Sequence, residues 1–159
     1  FLDISTKNIL LARLLVQWGR RLVVVSNMID ILQVLSAGRE ITTIGAGGTM
    51  VRTVNGFLGA ETIDFISRYS FDRAFVGTCG LDFTDSALTT LGAEDGLTKR
   101  AILKSSRHSY LVMENDKFYF NDSYKFAHFD EIDGIITNQL PDVSSVQALE
   151  HAGVTLYAP

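Results

Sequence analysis

Short apolar runs alternate with amphipathic stretches along nearly the whole chain. The runs Phe1–Ile4, Leu22–Ser26, Glu40–Ile44, Arg73–Gly77, Ser109–Glu114, Gly134–Thr137 and Thr155–Tyr157 are mostly continuous, the pattern of strands covered on both faces. Between them, Leu11, Leu14, Leu15 and Trp18 recur at i, i+3, i+4 and i+7, as do Met28, Ile31, Leu32 and Leu35. That spacing draws one face of a helix. Gly19 and Gly38 stand where these helices should stop. Further helices are predicted over Ala60–Tyr69, Ala93–Ser105 and Ser144–Ala152. Strand–helix alternation with short connections predicts one α/β domain over residues 1–159, built on a doubly wound, mostly parallel sheet.

Such a sheet directs attention to its strand ends. Ligands of open α/β sheets sit beyond the carboxyl ends of the strands, where helix N-termini offer free N–H groups to anions. The residues there are Ser5-Thr6-Lys7-Asn8, Ser26-Asn27, Gly45–Thr49, Thr78-Cys79-Gly80 and Asn115-Asp116-Lys117. Small, hydroxylated and glycine residues dominate, which suits a polar, phosphorylated small molecule. The glycine-rich Gly45-Ala46-Gly47-Gly48-Thr49-Met50 is not a dinucleotide loop, because its sixth position is Met50, nor a P-loop, because no Gly-Lys-Ser/Thr follows. No nucleotide cofactor is therefore expected.

Composition narrows the picture further. Hydrophobic residues make up 47% and charged residues 20%, with two prolines, the balance of a packed globule. A net charge of −4 without a Lys/Arg run excludes a DNA-binding footprint within this chain. The single cysteine, Cys79, excludes an intrachain disulfide and a multi-cysteine metal site, and fits a reducing cytoplasm. No apolar run is long enough to span a bilayer, and no secretory leader is visible. The chain opens inside a strand pattern, so a preceding segment is expected.

Few residues invite chemistry. Glu94 at a helix start could touch a ligand, and Lys99 could hold a phosphate or carboxylate; the plainer alternative is a solvated helix face with Asp95–Lys99 as an i,i+4 pair. Glu114 and Lys117, at a strand exit, could bind sugar hydroxyls and phosphate or be ordinary polar residues. His108, His128 and His151 lack ligand spacing, Cys79 has no identifiable base, and no serine sits in a nucleophile elbow. Neither a catalytic nor a metal site is expected. The aromatic stretch Phe118–Phe129 reads as a subunit interface or a flap over a pocket.

These pieces together resemble a known family. Phe71-Asp72-Arg73-Ala74-Phe75-Val76-Gly77-Thr78-Cys79-Gly80, then Leu88-Thr89-Thr90, Glu94, Lys99 and Arg100, are similar in order and spacing to the C-terminal effector-sensing domain of DeoR-type bacterial repressors. Ser26-Asn27, Gly47-Gly48, Lys117-Phe118 and Ile132–Thr137 support the likeness. The resemblance implies the fold of ribose-phosphate isomerases, glucosamine-phosphate deaminases and coenzyme A transferases. It further implies a phosphorylated sugar or related effector, operator DNA bound through a helix-turn-helix outside this chain, no membrane partner, and a homo-oligomer, dimer or tetramer. Carried over residue by residue, Asp3, Ser5, Thr6 and Lys7 would meet the phosphate. Ser26, Asn27, Gly47, Gly48 and Gly80 would line the pocket, Lys99 and Lys117 would supply charge, and Glu94 and Glu114 would bind hydroxyls or orient the lysines. Ser5, Lys7 and Asn8 depart from the glycine and hydroxyl residues usual in the first loop. The alternative is an isomerase or deaminase of the same fold, with Glu94 or Glu114 as general base.

Overall fold

The computed structural model describes all residues, Phe1–Pro159. Its helices are α1 (Thr6–Trp18), α2 (Ile29–Leu35), α3 (Ala60–Ser67), α4 (Ala93–Lys104) and α5 (Val143–His151). The first strands are β1 (Leu22–Ser26), β2 (Ile41–Gly45), β3 (Thr49–Val51), β4 (Gly56–Leu58), β5 (Ala74–Val76) and β6 (Gly80–Asp82). They are followed by β7 (Ala87–Thr90), β8 (Ser109–Val112), β9 (Tyr124–His128), β10 (Gly134–Ile136) and β11 (Thr155–Tyr157).

The core of the fold is a parallel sheet. Four strands run in the order β11–β10–β8–β5, and β1 pairs with β2. The N-terminal residues join the two groups: Leu2 bridges both Ser26 and Phe75, with Leu2 N–H donating to Val25 O and Asp3 N–H to Phe75 O. The expected strand Phe1–Ile4 is thus a single bridge residue with flanking hydrogen bonds, at the centre of the sheet. From it the chain turns one way to β1 and β2, then crosses to the other side to build β5, β8, β10 and β11. The two apolar clusters lie on opposite faces. Val24 and Phe75 pack with Ala12, Ile31 and Leu35 of α1 and α2, whereas their neighbours Val25, Ala74 and Val76 pack with Ile66 of α3, Ile102 of α4 and Leu149 of α5. Alternation along a strand puts adjacent residues on opposite faces, so near-continuous apolar runs fill both.

Periodicity missed the antiparallel elements. β3 and β4 form a hairpin, and β6, β7 and β9 form a small antiparallel sheet with a register shift between Leu88 and Thr89. These strands are three to five residues long, too short for alternation to declare itself. The aromatic stretch is corrected as well. Phe118, Phe126 and Phe129 are no more than 2% exposed and belong to the main core, so these rings form neither a flap nor an interface, whereas Tyr119 and Phe120 are 60 and 58% exposed. Gly80 admits this packing, since a Cβ there would lie 2.1 Å from Phe120 O.

Candidate functional site

The crossing point of the chain leaves a cleft of about 570 Å³ beyond the carboxyl ends of the N-terminal segment and β5. Ile4, Ser5 and Thr6 form one side; Gly77, Thr78 and Cys79 lie beside them; Thr90 to Asp95 and Lys99 form the far wall. Val51, Thr53, Val54 and Leu58, from the β3–β4 hairpin and its turn, supply an apolar wall.

Local sequence explains each wall. Ser5 is extended and caps α1, its Oγ accepting from Lys7 N–H at 3.2 Å. Gly77 lets β5 run hard against that loop: a Cβ would sit 2.8 Å from both Ile4 O and Ser5 Cβ. α4 starts differently. Its N-cap is Gly92, in extended conformation, and no side chain caps it. The first N–H groups of α4 therefore face the cleft without a side-chain acceptor. Two helix N-termini, of α1 and α4, converge on the same space.

Behind the cleft lies a charged cluster. Lys99 Nζ is 2.5 Å from Asp3 Oδ2 and 3.2 Å from Asp95 Oδ1. Asp3 Oδ2 also accepts from Gly77 N–H at 3.0 Å, and Thr90 Oγ1 donates to Asp95 Oδ2 at 2.5 Å. Burial alone would lower the Lys99 pKa, but Asp3 and Asp95 outweigh it and hold the ammonium above its ordinary value. Burial pushes the Asp3 carboxyl up, against the pull of Lys99. Lys99 thus keeps its proton, and its charge is already met by two carboxylates.

Of the expected site residues, Ser5, Thr6, Glu94 and Lys99 line the cleft, and Asp3 stands directly behind Lys99. The others lie off its walls. Lys7 pairs with Glu114 across the end of β8. Ser26 Oγ accepts from Met28 N–H, and Asn27 Nδ2 donates to Phe57 O, tying β1 to the hairpin. Gly47 O accepts from Thr62 Oγ1, and Gly48 makes room for Thr62, whose Oγ1 would be 2.2 Å from a Cβ there. Gly80 makes room for Phe120, and Lys117 Nζ stands 5.7 Å from the Phe120 ring.

Sequence reasoning left out Thr90, Gly92, Asp95 and the hairpin wall. Asp95 carried a signal, its i,i+4 spacing to Lys99, and the pair forms; but Lys99 is 3% exposed, so this is no solvated face. The hairpin residues carried none, because only packing turns them inward.

A mixed α/β domain with a cleft at its strand ends, part apolar and part polar, has room for a small molecule. The family described as the DeoR C terminal sensor domain matches residues 1–139, and the chain belongs to it. The glycerol-3-phosphate regulon repressor of Escherichia coli (strain K12) is 32% identical over 149 residues, 94% of this chain and 58% of its own length. The HTH-type transcriptional repressor GlcR of Bacillus subtilis (strain 168) is 28% identical over 133 residues, 84% of this chain and 51% of its own. The HTH-type transcriptional regulator GlpR of Haloferax volcanii is 33% identical over 110 residues, 69% of this chain and 43% of its own. The chain spans roughly half the length of these curated relatives. The role that the matched family carries is that of a sensor domain.

Proposed function

We propose that the cleft binds a phosphorylated sugar or a related polyol phosphate, and that occupancy alters operator binding by a helix-turn-helix elsewhere in the full-length regulator. The observation that carries this reading is the convergence of the α1 and α4 N-termini on one cleft. Aligned peptide dipoles and free N–H groups there favour an anion. Because Lys99 is already neutralised and the Thr78 and Thr90 hydroxyls donate within the protein, backbone N–H groups and the hydroxyls of Ser5 and Thr6 do most of the holding. The Asp3–Lys99–Asp95 cluster keeps the walls in register, and exposed Glu94 meets ligand hydroxyls. A regulator responds only if the ligand prefers one of its states, so the ligand must favour one arrangement of the domains or subunits.

In this reading the sheet is the doubly wound fold of the sugar-phosphate isomerases and deaminases, used for binding without turnover in a homo-oligomeric repressor. Glu114, one candidate general base, is bonded to Lys7 away from the cleft, and Asp95, the other carboxylate on the cleft wall beside Glu94, is engaged by Lys99 and Thr90. Sugar phosphates, glycerol 3-phosphate among them, are to be screened by thermal shift. At least one should raise Tm, and Gly92→Phe should abolish that rise while leaving the unliganded Tm nearly unchanged, since a Cβ on Gly92 meets nothing within 4 Å. A panel without any stabiliser, or a rise that survives Gly92→Phe, refutes the assignment; turnover of a sugar phosphate restores the enzymatic reading.

A further inference from the structure

The charges around the cleft do not balance. Glu94, Asp95 and Lys99 stand on its walls, and Asp3 is buried behind Lys99. Lys99 is the one cation among the lining residues, and Asp3 and Asp95 already share it. Glu94 is exposed on the cleft wall, and its carboxylate has neither a hydrogen-bond donor nor an ion-pair partner within the protein. Only its carbonyl oxygen is engaged by a side chain, Thr98 Oγ1 at 2.8 Å. Asp3 Oδ1, fully buried, also lacks a donor. Lys7 gives no relief, because it is bonded to Glu114 outside the cleft. The uncompensated side-chain charge of the site is therefore negative.

The two helix N-termini on the cleft also differ in kind. The first turn of α1 holds no acidic residue, and its N–H groups stand beside the Ser5 and Thr6 hydroxyls. The first turn of α4 holds Glu94 and Asp95. Carboxylates in a first turn neutralise the positive end of a helix. A phosphate is therefore favoured at α1 and repelled by Glu94 at α4, where the N–H groups beside Gly92 still suit an uncharged ligand oxygen.

We propose that the effector carries a protonated amine as well as a phosphate, with the phosphate at the α1 N-terminus and the ammonium group paired with Glu94. The inference rests on the reading of the cleft as a phosphate-ester site and adds that the group meeting Glu94 is an amine. An ammonium supplies both the donors and the positive charge that Glu94 lacks, and charge-assisted hydrogen bonds of this kind are roughly twice as strong as neutral ones. A ligand bearing only phosphate and hydroxyls leaves that carboxylate facing a second anion. An aminodeoxy sugar phosphate has the required layout, because the amine-bearing carbon and the ring carbon that carries the phosphorylated arm lie across the ring from each other. The cleft, about 570 Å³, falls within the ~300–1,000 Å³ usual for small-molecule sites. Were Glu94 only a helix-end residue, it would stabilise α4 and discriminate between no two ligands.

The test is calorimetric titration of the 159-residue chain with matched ligands. Glucosamine 6-phosphate and galactosamine 6-phosphate are each compared with the parent hexose 6-phosphate and with the N-acetyl derivative, whose amide carries no charge. At least one amine should bind about tenfold more tightly than both of its counterparts. Glu94→Gln, isosteric and at an exposed position, should erase that preference with an unchanged far-UV spectrum and little effect on the parent sugar phosphate. Glu94→Lys should reverse the preference. Parents that bind as tightly as their amines, or a preference that survives Glu94→Gln, overturn the amine assignment and leave the phosphate site standing. Failure of every phosphate ester to bind overturns both readings.

Discussion

Replacing Lys99 by methionine keeps most of the side chain's length and removes its charge. The consequence falls on Asp3, which is 0% exposed and would retain only the Gly77 N–H at 3.0 Å. Its Oδ1 has no hydrogen-bond partner within the protein, so no second group can take over from Lys99. Removing one member of a buried ion pair costs about 3–5 kcal/mol, because the other charge is left in a poorly polarisable interior. For a chain this size each kcal/mol lowers Tm by ~2–4 °C, which puts the expected drop at about 6–20 °C. Asp3→Asn with Lys99→Met removes both charges while an amide oxygen still accepts from Gly77. It should recover most of the loss. Thermal unfolding of the four proteins, followed by circular dichroism at neutral pH, gives the coupling energy directly. The pH dependence has a definite sign. A carboxyl held above its unfolded value of 3.8 is most favourable below that value and loses stability as pH rises through its folded pKa. The Lys99→Met deficit therefore narrows on acidification towards pH 4 and widens towards neutrality. A Lys99→Met cost under about 1 kcal/mol, or single effects that simply add in the double variant, would refute the ion-pair account.

Three further outcomes are expected. Phe126→Ala removes a ring that is 1% exposed and should cost about 3–5 kcal/mol in denaturant titration; a near-neutral result would return the aromatic stretch to the surface. Gly80→Ala places a methyl 2.1 Å from Phe120 O, against backbone rather than a mobile side chain, so it should lower stability by at least about 1–3 kcal/mol in the same assay. Asp82 and Asp142 are held below the ordinary carboxylate value, chiefly by Lys125 and by the Ser144 and Ser145 side chains respectively. Asp133 is held below it too, where Ser109 N–H and His108 outweigh its burial. Carboxyls lowered in this way stabilise the fold above their unfolded value of 3.8 and lose that contribution as pH falls. Thermal melts should therefore show Tm falling below about pH 4, and a Tm flat down to pH 2 would contradict it.

The central strands were legible because a strand buried on both faces must be apolar at consecutive positions, as in Leu22–Val25. Helix ends were legible for an equally local reason: Gly19 adopts the left-handed conformation, φ 65°, that ends α1. Thr155–Tyr157 was bounded to the residue, and α3, α4 and α5 to within two residues at each end. The short antiparallel strands were not legible, since three residues of β3 or β6 carry no usable period. For the cleft, strand-end chemistry pointed to Ser5 and Thr6, and the start of a charged helix to Glu94 and Lys99; their hydroxyls and charges are conspicuous wherever they occur. What each does there is a matter of proximity. Asp3 and Lys99 lie 96 residues apart in sequence, and only the sheet order brings them to 2.5 Å, turning a presumed phosphate-binding cation into half of a buried pair. Likewise Gly48 is empty space for Thr62 rather than for a ligand, because the hairpin folds back onto α3. Local sequence determined which segments are strands, helices and polar ends; only tertiary structure decided which of those ends face one another, because that depends on contacts between residues far apart in the chain.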